Sequence, residues 1–89
     1  MPASSETLVA LPSDVALHAR PAADFVRTAM GFGADVFVAV GDREVDAKSL
    51  LSVLALGATP GTTLRLRADG DGADAAVATL ADLIAGLNE

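Results

Sequence analysis

The spacing of apolar positions alternates along the chain between the two-residue period of a strand and the longer period of a helix. Thr7 to Leu11 reads as a first strand, stopped by Pro12-Ser13-Asp14. From Pro21 to Met30, Ala22, Phe25, Val26 and Ala29 recur at helical spacing, while Asp24, Arg27 and Thr28 fall on the other face. Pro21 suits the first helical position, where its missing N–H would have no partner anyway, and Gly31 and Gly33 end the helix. Asp35 to Val40 is a strand, Gly41-Asp42 fits a two-residue hairpin turn, and Arg43 to Asp46 returns as its partner. Lys48 to Leu56 is a short helix closed by Gly57, and Pro60-Gly61 is a turn. Thr63 to Arg67 places leucines on one face and arginines on the other, so Arg65 and Arg67 are expected on a solvated sheet face. Asp69-Gly70-Asp71-Gly72 is a loop, and Asp69, Asp71 and Asp74 are expected to cap a last helix. That helix carries the stripe Ala73, Val77, Leu80, Ile84 and Leu87.

The order is therefore β-α-β-β-α-β-α. The fold class is α+β: a mostly antiparallel sheet whose apolar side is buried by amphipathic helices, in two layers. The 89 residues form one domain, 1–89, with residues 1–5 expected to be a flexible N-terminus.

Composition narrows the chemistry. Six Lys and Arg against twelve Asp and Glu give a net charge of −6, which argues against nucleic acid as a partner. There is no cysteine and only one histidine, so neither a thiolate nucleophile nor a Cys- or His-based zinc site can be assembled. No metal site is expected, since the Asp-Gly-Asp-Gly run lacks the length and closing glutamate of a calcium loop. A hydrophobic fraction of 52% is too high for a disordered acidic tail. No apolar run is long enough to span a membrane, so no membrane insertion is expected. The opening residues carry neither a basic cluster nor an apolar signal core, and a cytoplasmic location is expected.

The candidate chemistry sits at His18, just ahead of the first helix. A lone histidine is ordinarily surface decoration or a helix cap. Here the loop-to-helix junction presents outward-pointing backbone N–H groups, and the backbone of Ala19, Arg20, Pro21 and Ala22 is expected to hold a phosphate. Arg20 adds a guanidinium able to grip phosphate oxygens in a fork. The helix end and Arg20 both disfavour a further positive charge on the imidazole, which leaves it nucleophilic. A neutral imidazole beside a phosphate cradle points to covalent phosphoryl carriage.

Two segments carry a family likeness. His18-Ala19-Arg20-Pro21-Ala22-Ala23 resembles the active-site motif of HPr, the histidine phosphocarrier of the bacterial phosphoenolpyruvate-dependent phosphotransferase system. Ala47-Lys48-Ser49-Leu50-Leu51-Ser52-Val53-Leu54-Ala55-Leu56-Gly57 resembles the second signature of that family, and the likeness runs from about Thr7 to the C-terminus. The resemblance implies an open-faced β-sandwich, with a four-stranded antiparallel sheet and three helices on one side. It implies that His18 accepts a phosphoryl group on Nδ1 from phosphorylated enzyme I and passes it to EIIA domains of sugar permeases, with Arg20 stabilising the phosphate. No cofactor would be bound. Phosphoenolpyruvate would be the ultimate donor, with magnesium on enzyme I.

Other residues have both a structural and a family reading. Ser49 is a natural N-cap; the family reading is a regulatory site for an HPr kinase/phosphorylase, although Leu50-Leu51 replaces the Ile-Met typical of kinase-regulated members. The second helix is apolar nearly all round, so Leu51, Leu54 and Ala55 are expected to form an exposed patch for docking partners. Arg27 is assigned to a basic rim that attracts acidic partner surfaces. Ala16 stands where the family has a glycine two residues before the histidine, on a lengthened approach through Ser13-Asp14-Val15. A monomer is expected. The alternatives are a carrier in a nitrogen-regulatory or dihydroxyacetone-kinase phosphorelay, or a regulatory binding module on the same fold. A free-standing enzyme has no second acid, base or nucleophile cluster to work with, so a phosphohistidine intermediate carrier is the expected role.

Overall fold

A computed structural model of the protein describes residues 4–87. The elements are β1 (Ser4–Ala10), α1 (Ala19–Met30), β2 (Asp35–Val40), β3 (Arg43–Asp46), α2 (Leu50–Ala55), β4 (Thr63–Asp69) and α3 (Ala73–Ala85). The four strands form one antiparallel sheet in the order β1-β4-β2-β3. β4 therefore joins β1 to the β2–β3 hairpin. That hairpin turns at Gly41, whose φ of 61° lies where glycine carries no side-chain penalty.

Alternation decides which side of the sheet is covered. Leu64, Leu66 and Ala68 of β4 and Val36 and Val38 of β2 are buried, and they join Phe25, Ala29, Val53, Ala76, Leu80 and Ile84 from the helices in one core. α3 packs on β1, β4 and β2, and α1 packs on α2 and α3. Phe25, Val26, Ala22 and Ala29 form the buried stripe of α1, as the helical spacing requires. In α3 the inward stripe is Ala73, Ala76, Val77, Leu80 and Ile84, while Leu87 follows the helix and packs partly buried against the core.

Several element boundaries differ from the sequence reading, each for a tertiary reason. β1 starts at Ser4 because Ser4 and Ser5 pair with Asp69 and Ala68. Of the expected flexible stretch, residues 1–3 lie outside the described residues. β4 runs on to Asp69, which lies opposite both Ser4 and Asp35. Asp69 is thus a strand residue and not a cap. α3 is capped by Gly72, with φ 79° and no side-chain bond, leaving Asp74 as the acid of the first turn. α2 is shorter than expected, six residues, because Ser49 takes the N-cap position.

The uncovered face of the sheet is not simply a solvated arginine face. Arg67 lies between Glu6 and Phe37 in register, and its guanidinium stacks 4.3 Å from the Phe37 ring centroid. It then reaches over β2 to grip the Glu44 carboxylate with both prongs, Nη2 to Oε1 at 2.9 Å and Nε to Oε2 at 3.2 Å. Nη1 also donates to Asp69. Arg65 is half-buried as well, its Nη1 3.4 Å from the Gly41 carbonyl.

This cluster sets a pH dependence. The hydrogen bond from Arg67 holds the Glu44 carboxyl below its ordinary value of 4.5. A carboxylate with a lowered folded-state pKa stabilises the fold above its unfolded value, and that contribution disappears as pH falls through the folded one. Wild-type melting temperature should therefore fall more steeply than that of Glu44→Gln between about pH 6 and about pH 3. Parallel curves for the two proteins would rule out the contribution.

Candidate functional site

The segment between β1 and α1 is tied down on one side. Leu11 N–H donates to the Thr62 carbonyl (2.9 Å), Gly61 N–H to the Pro12 carbonyl (3.1 Å) and Leu17 N–H to the Ala58 carbonyl (3.0 Å). Val15 and Leu17 are buried in the protein interior. With both inward positions filled, the next residue, His18, is exposed. Among the described residues none other than glycine has a positive φ, so Ala16 crosses the loop in ordinary backbone and the missing family glycine is not needed for this path.

His18 is the N-cap residue of α1, with φ −97° and ψ −166°, and its ring makes no capping bond to the helix. The helix begins two residues earlier than the sequence reading placed it, and Pro21 occupies the third helical position. This shift changes the donor set. The His18 carbonyl accepts from the Ala22 N–H at 2.8 Å, so Ala22 belongs to the helical ladder. Pro21 has no N–H. Neither is available to a phosphate, contrary to the sequence expectation. The amides of Ala19 and Arg20 are left, in the first turn where no intrahelical acceptor exists. Both residues are exposed, the first turn holds no acidic side chain, and the positive end of a twelve-residue helix lies beneath them. Two amides, an exposed guanidinium and an exposed imidazole within three consecutive residues can accommodate a tetrahedral anion bonded to the ring.

The residues assigned to docking separate. Leu51 is 81% exposed, and Ala55 is exposed. Leu54 is half-buried and packs against the core, so it contributes less to the surface than expected. Arg27 is exposed but ion-paired with Asp24 at 3.1 Å on its own helix. Ser49 caps α2: its Oγ accepts from the Ser52 N–H at 3.3 Å and donates to the Ser52 Oγ at 3.0 Å.

Two positioning contacts have no signal in the sequence. Lys48 Nζ donates to the Phe32 carbonyl at 2.8 Å, tying the approach to α2 to the turn after α1. Arg43 Nη2, on β3, donates to the Ala55 carbonyl at 3.2 Å, at the C-terminal end of α2. A six-residue helix does not hold itself in place, and these bonds fix it from two neighbouring elements. Among the described residues, no helix is long and apolar enough to cross a membrane.

Residues 5–86 match the family described as "PTS HPr component phosphorylation site". The chain is 49% identical over 75 residues to the phosphocarrier protein HPr of Streptomyces coelicolor, covering 82% of this chain and 81% of that protein. It is 44% identical over 80 residues to the HPr of Haloferax volcanii, covering 88% and 89%. The crystal structure of the phosphocarrier protein HPr from Bacillus anthracis superposes with a TM-score of 0.87 at 32% identity, covering 92% of this chain and 98% of that one. With a family match over residues 5–86, relatives 44–49% identical over most of both chains and a fold that superposes over nearly its whole length, the chain belongs to the PTS HPr family of phosphocarrier proteins.

Proposed function

We propose that this chain carries phosphoryl groups in a phosphotransferase system by accepting them on Nδ1 of His18. One observation supports this above the rest: the only histidine is exposed at the N-cap of α1, beside the first-turn amides of Ala19 and Arg20 and the Arg20 side chain. The Nδ1 lone pair attacks the phosphorus of a phosphorylated donor protein. A nitrogen–phosphorus bond forms as the donor's bond to phosphorus breaks. The amides and guanidinium then hold the phosphoryl oxygens until an acceptor nucleophile displaces the imidazole. Enzyme I is the donor in this reading, charged by phosphoenolpyruvate with magnesium on enzyme I. EIIA domains of sugar permeases are the acceptors.

The names of the relatives, phosphocarrier protein HPr, support the carrier role. The nitrogen-regulatory, dihydroxyacetone-kinase and binding-module readings gain no comparable support. Ser49 as a regulatory site is a further part of the proposal. Its hydroxyl bonds only within the first turn of α2, and a kinase has to break the Ser52 contact to reach it.

The test is direct. Incubation with phosphoenolpyruvate, magnesium and enzyme I is expected to add one phosphoryl group to the intact protein by mass spectrometry, labile in acid and stable in base. A protein that stays unmodified beside a competent control carrier would overturn the reading.

A further inference from the structure

The loop that delivers His18 rests on a turn far along the chain. Thr59-Pro60-Gly61-Thr62 closes with the Thr62 N–H on the Thr59 carbonyl at 3.1 Å, and Gly61 holds a φ of 79°. A proline at the second position and a positive φ at the third make this a type II turn. The Thr59 and Thr62 hydroxyls, 3.0 Å apart, share a second bond across it. Another turn lies against the first: the Val15 N–H donates to the Pro12 carbonyl at 3.2 Å. The same Pro12 carbonyl accepts from the Gly61 N–H at 3.1 Å, so one oxygen joins the two turns. The Leu11 bond to Thr62 and the Leu17 bond to Ala58 flank this junction.

Turn type decides where the Gly61 N–H points. Types I and II differ by a half-rotation of the peptide between the two central residues, here Pro60 and Gly61, and that peptide carries the Gly61 N–H. The type II form needs a positive φ at its third position, which glycine adopts without penalty. An alanine at 61 favours the type I form, in which the N–H turns away from the Pro12 carbonyl. A methyl group on Gly61 meets no atom within 4 Å, so backbone preference is what the substitution changes. The consequence reaches the site through Leu17, which is buried one residue before His18. On its other side His18 is held by α1, through the Ala22 bond to its carbonyl. The imidazole is carried between these two anchors, whereas the amides of Ala19 and Arg20 move with the helix.

We propose that Gly61 is a positioning residue for phosphoryl transfer: its left-handed backbone holds the Pro12 junction and, through it, sets the place of the His18 ring relative to the amides of Ala19 and Arg20. The proposal rests on the phosphocarrier reading. Gly61 acts through the loop and not on the phosphoryl group. A misplacement of about 1 Å in a reacting group can cost about a hundredfold in rate.

The experiment compares Gly61→Ala with Gly72→Ala. Gly72 has the same φ of 79° and equally open surroundings, but it caps α3 beyond the opposite end of β4. Phosphorylated enzyme I is mixed with rising concentrations of each protein and quenched within a single turnover, which gives a limiting rate and a half-saturating concentration. Gly61→Ala is expected to lower the limiting rate about tenfold or more and to keep the half-saturating concentration within about twofold. Gly72→Ala is expected to keep both within about twofold. Each alanine should lower the melting temperature by a similar amount, about 4–8 °C, so a difference in rate does not follow from stability. Gly61→Asn, whose side chain tolerates the left-handed region, should recover most of the rate although it is the larger residue. The Leu11 and Leu17 amides should exchange with solvent faster in Gly61→Ala than in Gly72→Ala. Equal limiting rates in the two alanine variants, a loss carried by the half-saturating concentration, an asparagine slower than the alanine, or unchanged exchange at Leu11 and Leu17 would overturn the proposal. Failure of the carrier reading looks different: the wild-type chain itself takes up no acid-labile phosphoryl group beside a competent control carrier.

Discussion

His18→Ala is expected to abolish phosphoryl uptake from enzyme I, while Arg20→Ala is expected to retain it and slow it about a hundredfold. The imidazole supplies the only nucleophilic nitrogen of its kind in the chain, and without it no phosphoramidate can form. Arg20 makes no bond to the transferring group's reacting atom. It stabilises charge on the phosphoryl oxygens, a contribution of the size seen when one preorganised donor is removed. Arg20→Lys should recover part of the rate, because an ammonium keeps the charge but loses the fork. Both positions are exposed, so thermal melts of all three variants should overlay wild type. Intact-mass measurements over a time course separate the cases. Labelling that persists in His18→Ala would move the site elsewhere, and Arg20→Ala transferring at the wild-type rate would leave the phosphate held by the amides of Ala19 and Arg20 alone.

Phe25→Ala is expected to bring the domain near the limit of folding. Phe25 is 0% exposed and sits in the core on the buried stripe of α1. Emptying such a site costs about 3–5 kcal/mol, from lost transfer energy and the cavity left behind. Domains of this size have only about 5–15 kcal/mol in total. The urea midpoint should therefore fall by at least about a fifth, and by more than about half where the total lies in the lower part of that range, with the slope unchanged. Leu51→Ala, at 81% exposure, should shift the same midpoint by an amount corresponding to less than about 0.5 kcal/mol. Equal losses from the two substitutions would mean that the packing described for α1 and α2 is wrong.

The contrast between Phe25 and Leu51 shows how far the sequence carries. Phe25 belongs to a helical repeat with Ala22, Val26 and Ala29, so its inward direction follows from spacing alone. In α2 nearly every position is apolar and spacing cannot choose a face. Leu51 and Leu54 look alike in the sequence, and only packing against the core separates them. Asp69 is a similar case. Beside Gly70 and Gly72 it reads as a loop residue, yet strands β1 and β2 on either side extend β4 to include it. Arg27 was legible as a polar-face cation, and the structure adds its exposed ion pair with Asp24 three residues earlier. The site was legible in its side chains, His18 and Arg20, and misjudged in its backbone. Helix α1 begins at Ala19, so the ladder takes the Ala22 N–H.

The order of strands and helices, the buried stripes of α1 and α3, and the placing of His18 ahead of a helix are properties of neighbouring residues, because backbone periodicity and capping act over only a few positions. The tertiary structure decided what depends on residues far apart in the chain. Sheet order β1-β4-β2-β3 lets Arg67 reach Glu44 across β2. Arg43 and Lys48 fix a helix too short to fix itself. The Ala58–Thr62 segment holds the loop that turns His18 outward. These contacts form only when the sheet closes around its core, and no local pattern encodes which strand becomes the neighbour of which.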